Sequence, residues 1–385
     1  MDLLKLILRN VFRHRLRSVL TISGVVIAML AFGILRTLVG AWYVGVEESS
    51  ANRLVTRNKT SLIYSLPLAY RNKILQVPDV SKAAYGVWYG GVYKDKKNFF
   101  AQFAISGLDY LDLYPEFLLS SNERAAFMKN RKGAVAGRKL AQRYGWKIGD
   151  IIPLQGTIYP GNIALELTGI YRGARKTIDE TAFFFHYDYL NEHIKKIYPE
   201  RADKAGWYMV RIDDPSRAAG ISEEIDALFK SSPAETLTET EKAFQLGFVA
   251  MTGAIVGAIK VISVVVIAII LIVLANTRAM TARERSSEYA VLKTLGFGPR
   301  FLFMLIAGES TAIAMIGGAL GAVLSYPGGK IFQAQLEHFL PVFEVSTSTV
   351  LTILGVSLLV GFTAALPPAI RVSRVGIAEG LRHIG

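Results

Sequence analysis

The chain has no cysteine among its 385 residues. Disulfides, thiolate metal sites and a cysteine nucleophile are therefore excluded, and the composition suits either side of a bacterial inner membrane. Histidine is scarce as well: His14, His186, His193, His338 and His383 form no H-x-x-x-H or H-E-x-x-H pair. Although His186 and His193 flank one helix-like segment, no metal site is expected. There is no G-x-x-x-x-G-K-[ST] loop, and the stretch GAVAGRK at 133–139 lacks that spacing, so the chain is not expected to bind ATP in the P-loop manner. No G-x-S-x-G is present either, so the sequence predicts no catalytic residues and no enzyme activity of its own.

What the chain has in excess is apolar surface. It is 51% hydrophobic, its mean hydropathy is +0.33, and the excess is concentrated in four runs. This pattern predicts a membrane protein. The net charge of +13 could suggest a polyanion partner, but residues 46–246 hold 28 Lys/Arg against 24 Asp/Glu, only +4. With no recognition module or aromatic-basic pattern, nucleic acid is not an expected partner.

The expected fold is an α-helical membrane protein with four transmembrane helices and a large α+β periplasmic domain inserted between the first and second spans. Residues 1–18 carry Lys5, Arg9, Arg13 and Arg17 at four-residue intervals. On a continuous helix all four share one face, a basic amphipathic helix suited to the inner membrane surface. Residues 19–46 form the first span, too long for a signal h-region and without a small-x-small cleavage site. The domain at 47–246 shows an extended stretch at 61–64, a helix-like 68–76 and strand-like sequence after Pro78. Near its end come a strand at 207–212, a helix at 215–230 and a strand at 234–237. Two β-α-β pieces flanking an inserted lobe at about 110–178 suggest a split, two-lobe arrangement.

Residues 247–275 form the second span, where Gly253 and Gly257 offer a small-residue face for close helix packing. The third span is 301–326, with Gly317, Gly318 and Gly321 as a second such cluster. It also holds Glu309, too deep to snorkel easily, which is expected to be a protonated or hydrogen-bonded packing residue in preference to a direct participant in transport or coupling. A periplasmic loop covers 327–349 and the fourth span 350–370, ending at Pro367-Pro368, before a cytoplasmic tail at 371–385. Segments 1–18, 276–300 and 371–385 together hold 13 Lys/Arg and 4 Asp/Glu. By the positive-inside rule they are cytoplasmic, which puts both termini inside.

The segment 276–300 is the focus. Thr281 followed by Glu284 is a capping-box pattern and predicts a helix start there. Gly296 supplies a left-handed stop, and Pro299 prevents the helix resuming at once. The result is a short basic helix with too little apolar surface to be buried alone. It needs lipid headgroups or a partner.

The stretch from Asn276-Thr277 to Gly296, with Glu284-Arg285, Glu288, Leu292 and Leu295, followed by Glu309 and Gly317-Gly318-x-x-Gly321, resembles MacB/FtsX-type (type VII) ABC transporter permeases. RNVFRHRLRSVLTISGVVIAM near the start and PPAIRVSRVGIAEGLR near the end resemble that family's first span and tail. Tyr289-Ala290 stands where Ile-Gly is usual, and Lys293-Thr294 where Arg-Ala is common. The resemblance implies a permease without a fused ATPase domain, in which Thr281, Glu284, Arg285, Glu288, Leu292, Leu295 and Gly296 couple to a separate ABC ATPase subunit. ATP and Mg would bind in that subunit, with no cofactor in this chain. It further implies pairing with a second copy or paralogue, and a periplasmic adaptor with an outer-membrane duct, or a lipoprotein carrier. The function implied is export or extraction of a lipoprotein, lipid, peptide or amphipathic small molecule. Mechanical regulation of a periplasmic cell-wall hydrolase is the alternative, and the full two-lobe domain favours transport. A structural or sensor protein with no ATPase is a third reading, which the capped helix argues against.

Overall fold

The computed structural model describes residues 3–336 and 342–374, which divide into two compact units. One takes residues up to 41, 252–335 and from 343 onward; the other is built mainly from 42–251. Most of the expected tail, residues 375–385, and residues 337–341 of the expected loop lie outside the described residues.

The first unit is helical. Four helices are long and apolar enough to cross a membrane: Arg15–Glu48, Gly253–Glu284, Pro299–Gln333 and Thr347–Val372. The 34 residues of the first rise about 50 Å, well beyond a hydrocarbon core about 30 Å thick. Several expected boundaries are corrected. The third helix passes through Pro327 and continues to Leu336, so residues 327–336 of the expected loop at 327–349 are helical. The fourth runs through Pro367 and Pro368 to Arg374 instead of ending there. Prolines interrupt only their own backbone hydrogen bonds, and neighbouring helices in an apolar medium keep the remainder of the ladder in place. Residues 241–251 form a separate helix, Glu241–Met251, ahead of the second long helix.

Glycine sets how closely the third helix meets its neighbours. A Cβ on Gly317 would lie 2.6 Å from Val25 Cγ1, and one on Gly321 2.9 Å from Met29 Cβ, both on the first long helix. A Cβ on Gly318 would lie 2.0 Å from Ser357 Oγ on the fourth. Gly253 and Gly257, by contrast, have nothing within 4 Å of such a Cβ among the described residues. Overpacking at the first site should cost at least about 1–3 kcal/mol. Gly317→Leu is accordingly expected to lower the thermal unfolding midpoint of the purified chain while Gly253→Leu leaves it unchanged. Equal effects would show that the Gly317 contact is not close.

The second unit is a sheet with helices on its faces. Its strand order is Thr236–Thr240, Arg53–Asn58, Trp207–Ile212, Val80–Trp88, Gln102–Ile105, Phe183–His186, Gly133–Gly137, Gly161–Gly173, Ile151–Gly156 and Gly91–Val92, with Phe117–Leu118 pairing beside Gly161–Gly173. Strand alternation sorts the core. Phe183 and Phe185 enter one cluster while Phe184, between them, enters the cluster on the other face. Tyr208 and Val210 likewise point away from Met209.

The expected element order holds at both ends, with two corrections. Residues 61–64 form a turn, not a strand: Ile63 is 89% exposed and its N–H bonds the Ser61 hydroxyl, and the opening strand is Arg53–Asn58. The inserted lobe is wider than 110–178, because its core draws on residues from Val87 to Ile194. Gln102–Ile105 pairs in parallel with Phe183–His186, which joins segments from both sides of the expected insertion.

Candidate functional site

The expected helix over the 276–300 segment starts later than predicted. Thr281 does not cap anything: it lies inside the second long helix, its hydroxyl bonded back to the Thr277 carbonyl at 2.9 Å. That helix ends at Glu284, and a new one covers Ser286–Thr294. Its end is as the sequence predicts. Gly296 has φ +90°, and the N–H groups of Gly296 and Phe297 bond the carbonyls of Lys293 and Leu292, each at 3.1 Å.

The break at Arg285 follows from where its side chain goes. The guanidinium is 8% exposed and turns inward to the Glu309 carboxylate, with Nη1 at 3.1 and 3.2 Å from the two oxygens. Arg285 also donates to Glu288 at 3.0 Å and stacks over Tyr289. Glu309, 3% exposed on the third helix, is thus an ion-paired packing residue. Arg278 approaches the same carboxylate at 3.8 Å and donates to the Glu309 backbone carbonyl at 3.3 Å. Asn10 completes the set, its amide donating to Glu309 Oε1 at 2.8 Å.

Asn10 reaches Glu309 because the N-terminal segment is not one helix. It is Leu3–Val11, a turn at 12–14, then the first long helix. The Ser18 hydroxyl takes the Val11 carbonyl, which a continuing helix would have offered to Arg15. The even basic spacing is therefore split. Lys5 and Arg9 remain exposed on the short helix, but Arg13 and Arg17 turn to protein. Arg13 donates to Glu288 at 2.9 Å. Arg17 grips Glu284 with both guanidinium nitrogens, the longer contact being 3.0 Å, and meets the Thr281 hydroxyl at 3.5 Å. Burial disfavours the Glu288 carboxylate, but hydrogen bonds from Arg285 and Arg13 outweigh it and hold its pKa below the ordinary range. Ile7 fits against Gly308, where a Cβ would lie only 2.5 Å from Ile7 Cδ1.

This cluster fixes one side of the short helix and leaves another open. Tyr289 and Ala290 are buried and Leu292 packs on the helical core. Val291 and Leu295, four residues apart on one face, are 46% and 70% exposed. Asn10 and Arg278 carry no sequence motif. The signal for Arg278 was its place seven residues before Arg285, about two turns away on the same helix face.

The Arg17–Glu284 contact gives a direct test. Arg17→Glu alone is expected to lower the thermal unfolding midpoint of the purified chain by introducing repulsion against Glu284. The double exchange Arg17→Glu with Glu284→Arg should restore most of it, and failure of that rescue would show that the pair does not act together.

The second unit holds its own ion cluster, which sequence reasoning missed. Arg53, 4% exposed, donates to Glu241 and pairs with Glu116, both at 2.7 Å, and reaches the Leu113 carbonyl at 3.0 Å. The Glu241 carboxylate also accepts the Ser50 N–H at 2.9 Å. Ser50 follows the first long helix and Glu241 opens the helix preceding the second. Among the described residues no group of three or more His, Asp or Glu side chains is placed to hold a metal ion.

Comparison with known proteins supplies the family. Residues 18–228 match the MacB-like periplasmic core domain, and 260–377 match the FtsX-like permease C-terminal domain. An uncharacterized ABC transporter permease of Methanocaldococcus jannaschii is 24% identical over 407 aligned positions, covering 99% of this chain and 98% of that protein. An uncharacterized ABC transporter permease protein of Mycobacterium tuberculosis is 25% identical over 68% of this chain, which spans only 30% of that relative's length. Among solved structures, the periplasmic region of MacB from Actinobacillus actinomycetemcomitans aligns with 53% of this chain and 95% of its own, at 11% identity and a TM-score of 0.38. Two family models that between them take in both the sheet domain and the long C-terminal helices leave one reading: the chain belongs to the MacB/FtsX-type permeases of ABC transporters.

Proposed function

We propose that the chain is the membrane subunit through which a separate ABC ATPase moves an extracytoplasmic domain, for export or extraction of a lipoprotein, lipid, peptide or amphipathic small molecule. The observation that carries the reading is the two-sided character of Ser286–Thr294. Its exposed Val291 and Leu295, the residue that follows its last turn, offer an apolar contact surface, while its base is tied to the third spanning helix through Arg285 and Glu309. A push on such a helix is passed to a long element instead of being absorbed locally.

In this proposal the short helix and both termini face the cytoplasm and the sheet domain faces outward, as the basic segments favour. ATP and Mg act in the partner. A second copy or paralogue pairs along the face of Gly253 and Gly257, where no described residue lies within 4 Å of an added Cβ.

Co-purification tests the ATPase contact. Val291→Asp with Leu295→Asp, expressed with the neighbouring ATP-binding subunit, is expected to abolish its recovery with the permease while the permease still reaches the membrane. Full recovery would refute the assigned surface. With the wild-type pair, stimulation of ATPase activity by a lipid-linked or amphipathic cargo supports transport, and stimulation only by a cell-wall hydrolase would replace transport with regulation.

A further inference from the structure

The sheet domain carries a groove lined by residues between Leu118 and Arg172. It has a volume of about 810 Å³, within the roughly 300–1,000 Å³ of sites that take drug-sized ligands. Its floor is the strand Gly161–Gly173, and its walls are the helices Ser121–Lys129 and Arg138–Tyr144 with the turn that follows the latter. The apolar lining comes from Leu118, Leu119, Trp146, Ile148 and Ile170. Leu118 and Ile148 are 52% and 57% exposed, an unfavourable display for side chains of this size unless something covers them.

The polar lining is one-signed. Arg138, Lys147 and Arg172 contribute three cations against one carboxylate, that of Glu123. Glu123 is committed within the fold, accepting from the Ser120 N–H and hydroxyl at 2.9 and 2.6 Å and from the Ile170 N–H at 3.0 Å. Arg138 is held by Glu180 at 2.9 Å. Lys147 and Arg172 stand exposed, and neither forms a salt bridge among the described residues. An apolar trough edged by two exposed cations, of which Arg172 also feels the Glu123 carboxylate, is complementary to a molecule with an anionic head and an apolar body.

We infer that this groove binds an anionic amphiphile, its head at Lys147 and Arg172 and its apolar chain along Leu118, Ile148 and Ile170. The inference concerns binding to the sheet domain and does not depend on the ATPase contact proposed above.

The test uses the full chain in lipid nanodiscs and a diazirine-bearing dodecanoate, with the matching neutral amide as control, followed by mapping of labelled peptides. The carboxylate probe is expected to label the peptides holding Leu118 and Ile148, and unlabelled dodecanoate to compete. Lys147→Glu with Arg172→Glu should lower that labelling about tenfold, the scale of two partly exposed charge contacts, with labelling of the long apolar helices unchanged. Both side chains are exposed, so the variant should fold, and wild-type resistance of its sheet domain to limited proteolysis checks that it does. Equal labelling by the neutral amide, undiminished labelling of the double variant, or displacement by an acidic apolar peptide but not by dodecanoate would each overturn the inference.

Discussion

Glu309→Ala is expected to lower the thermal unfolding midpoint of the permease sharply and to abolish cargo-dependent ATPase stimulation in the assembled complex. The substitution removes the carboxylate facing Arg285 at 3.1 Å and Arg278 at 3.8 Å, both within the helical unit. Breaking a buried pair from one side costs about 3–5 kcal/mol, because the remaining charge stays out of water without a partner. It also releases the Asn10 amide, a smaller loss of about 1 kcal/mol. Glu309→Gln separates shape from charge. Its amide oxygen can still accept from Asn10 but cannot neutralise two guanidinium groups, so it should fall between wild type and alanine in stability while remaining poorly coupled. Differential scanning fluorimetry and ATPase assays on the same preparations check both parts. Wild-type midpoint and stimulation in Glu309→Ala would show that the carboxylate neither holds nor transmits.

The second large effect is expected at Arg53. Arg53→Met should destabilise the sheet domain by about 3–5 kcal/mol, since Glu116 and Glu241 lose the cation they share. Burial would lower the pKa of the guanidinium, but Glu116 and Glu241 outweigh it and raise it, so the group is charged at any working pH. Arg53→Lys keeps the charge but not the fork. A single ammonium cannot reach Glu241, Glu116 and the Leu113 carbonyl together, so it should recover only part of the loss. The functional consequence follows from Glu241, which also accepts the Ser50 N–H and so ties the chain leaving the first long helix to the chain approaching the second. Arg53→Lys is expected to retain ATPase recovery and basal hydrolysis while losing cargo movement. Limited proteolysis with a transport assay distinguishes this from simple unfolding, which would remove all three.

The four apolar runs were legible because hydropathy over some twenty residues depends little on tertiary contacts. Their ends were not. Thr281 and Glu284 carry a sound local capping pattern, yet Glu284 is taken by Arg17 from 267 positions away, and the second long helix continues through both. The even spacing of Lys5, Arg9, Arg13 and Arg17 predicts one helix face, but Ser18 and the carboxylates of Glu284 and Glu288 pull the segment into two pieces. Pro367-Pro368 would end a helix in water and does not end this one. In the sheet domain the second β-α-β piece was legible from alternation and turn residues, whereas the opening strand of the first lies at Arg53–Asn58 and not at 61–64. The reach of the inserted lobe was not legible, because it depends on the pairing of Phe183–His186 with Gln102–Ile105, about 80 residues apart. Gly296 was read correctly because a left-handed stop depends only on its own backbone. Arg53 and Asn10 had no local signal at all, since each is defined by distant partners.

If the exposed face of Ser286–Thr294 receives the ATPase, that face is covered in the complex. With no cysteine in the chain, Val291→Cys introduces a single thiol on that face, which can be labelled with a water-soluble maleimide without background. The measurement is its labelling rate in membranes with and without the co-expressed ATPase subunit. Rapid labelling of the permease alone and at least tenfold slower labelling in the complex are expected, about the protection of a residue at the centre of an interface. Equal rates in the two preparations would contradict it.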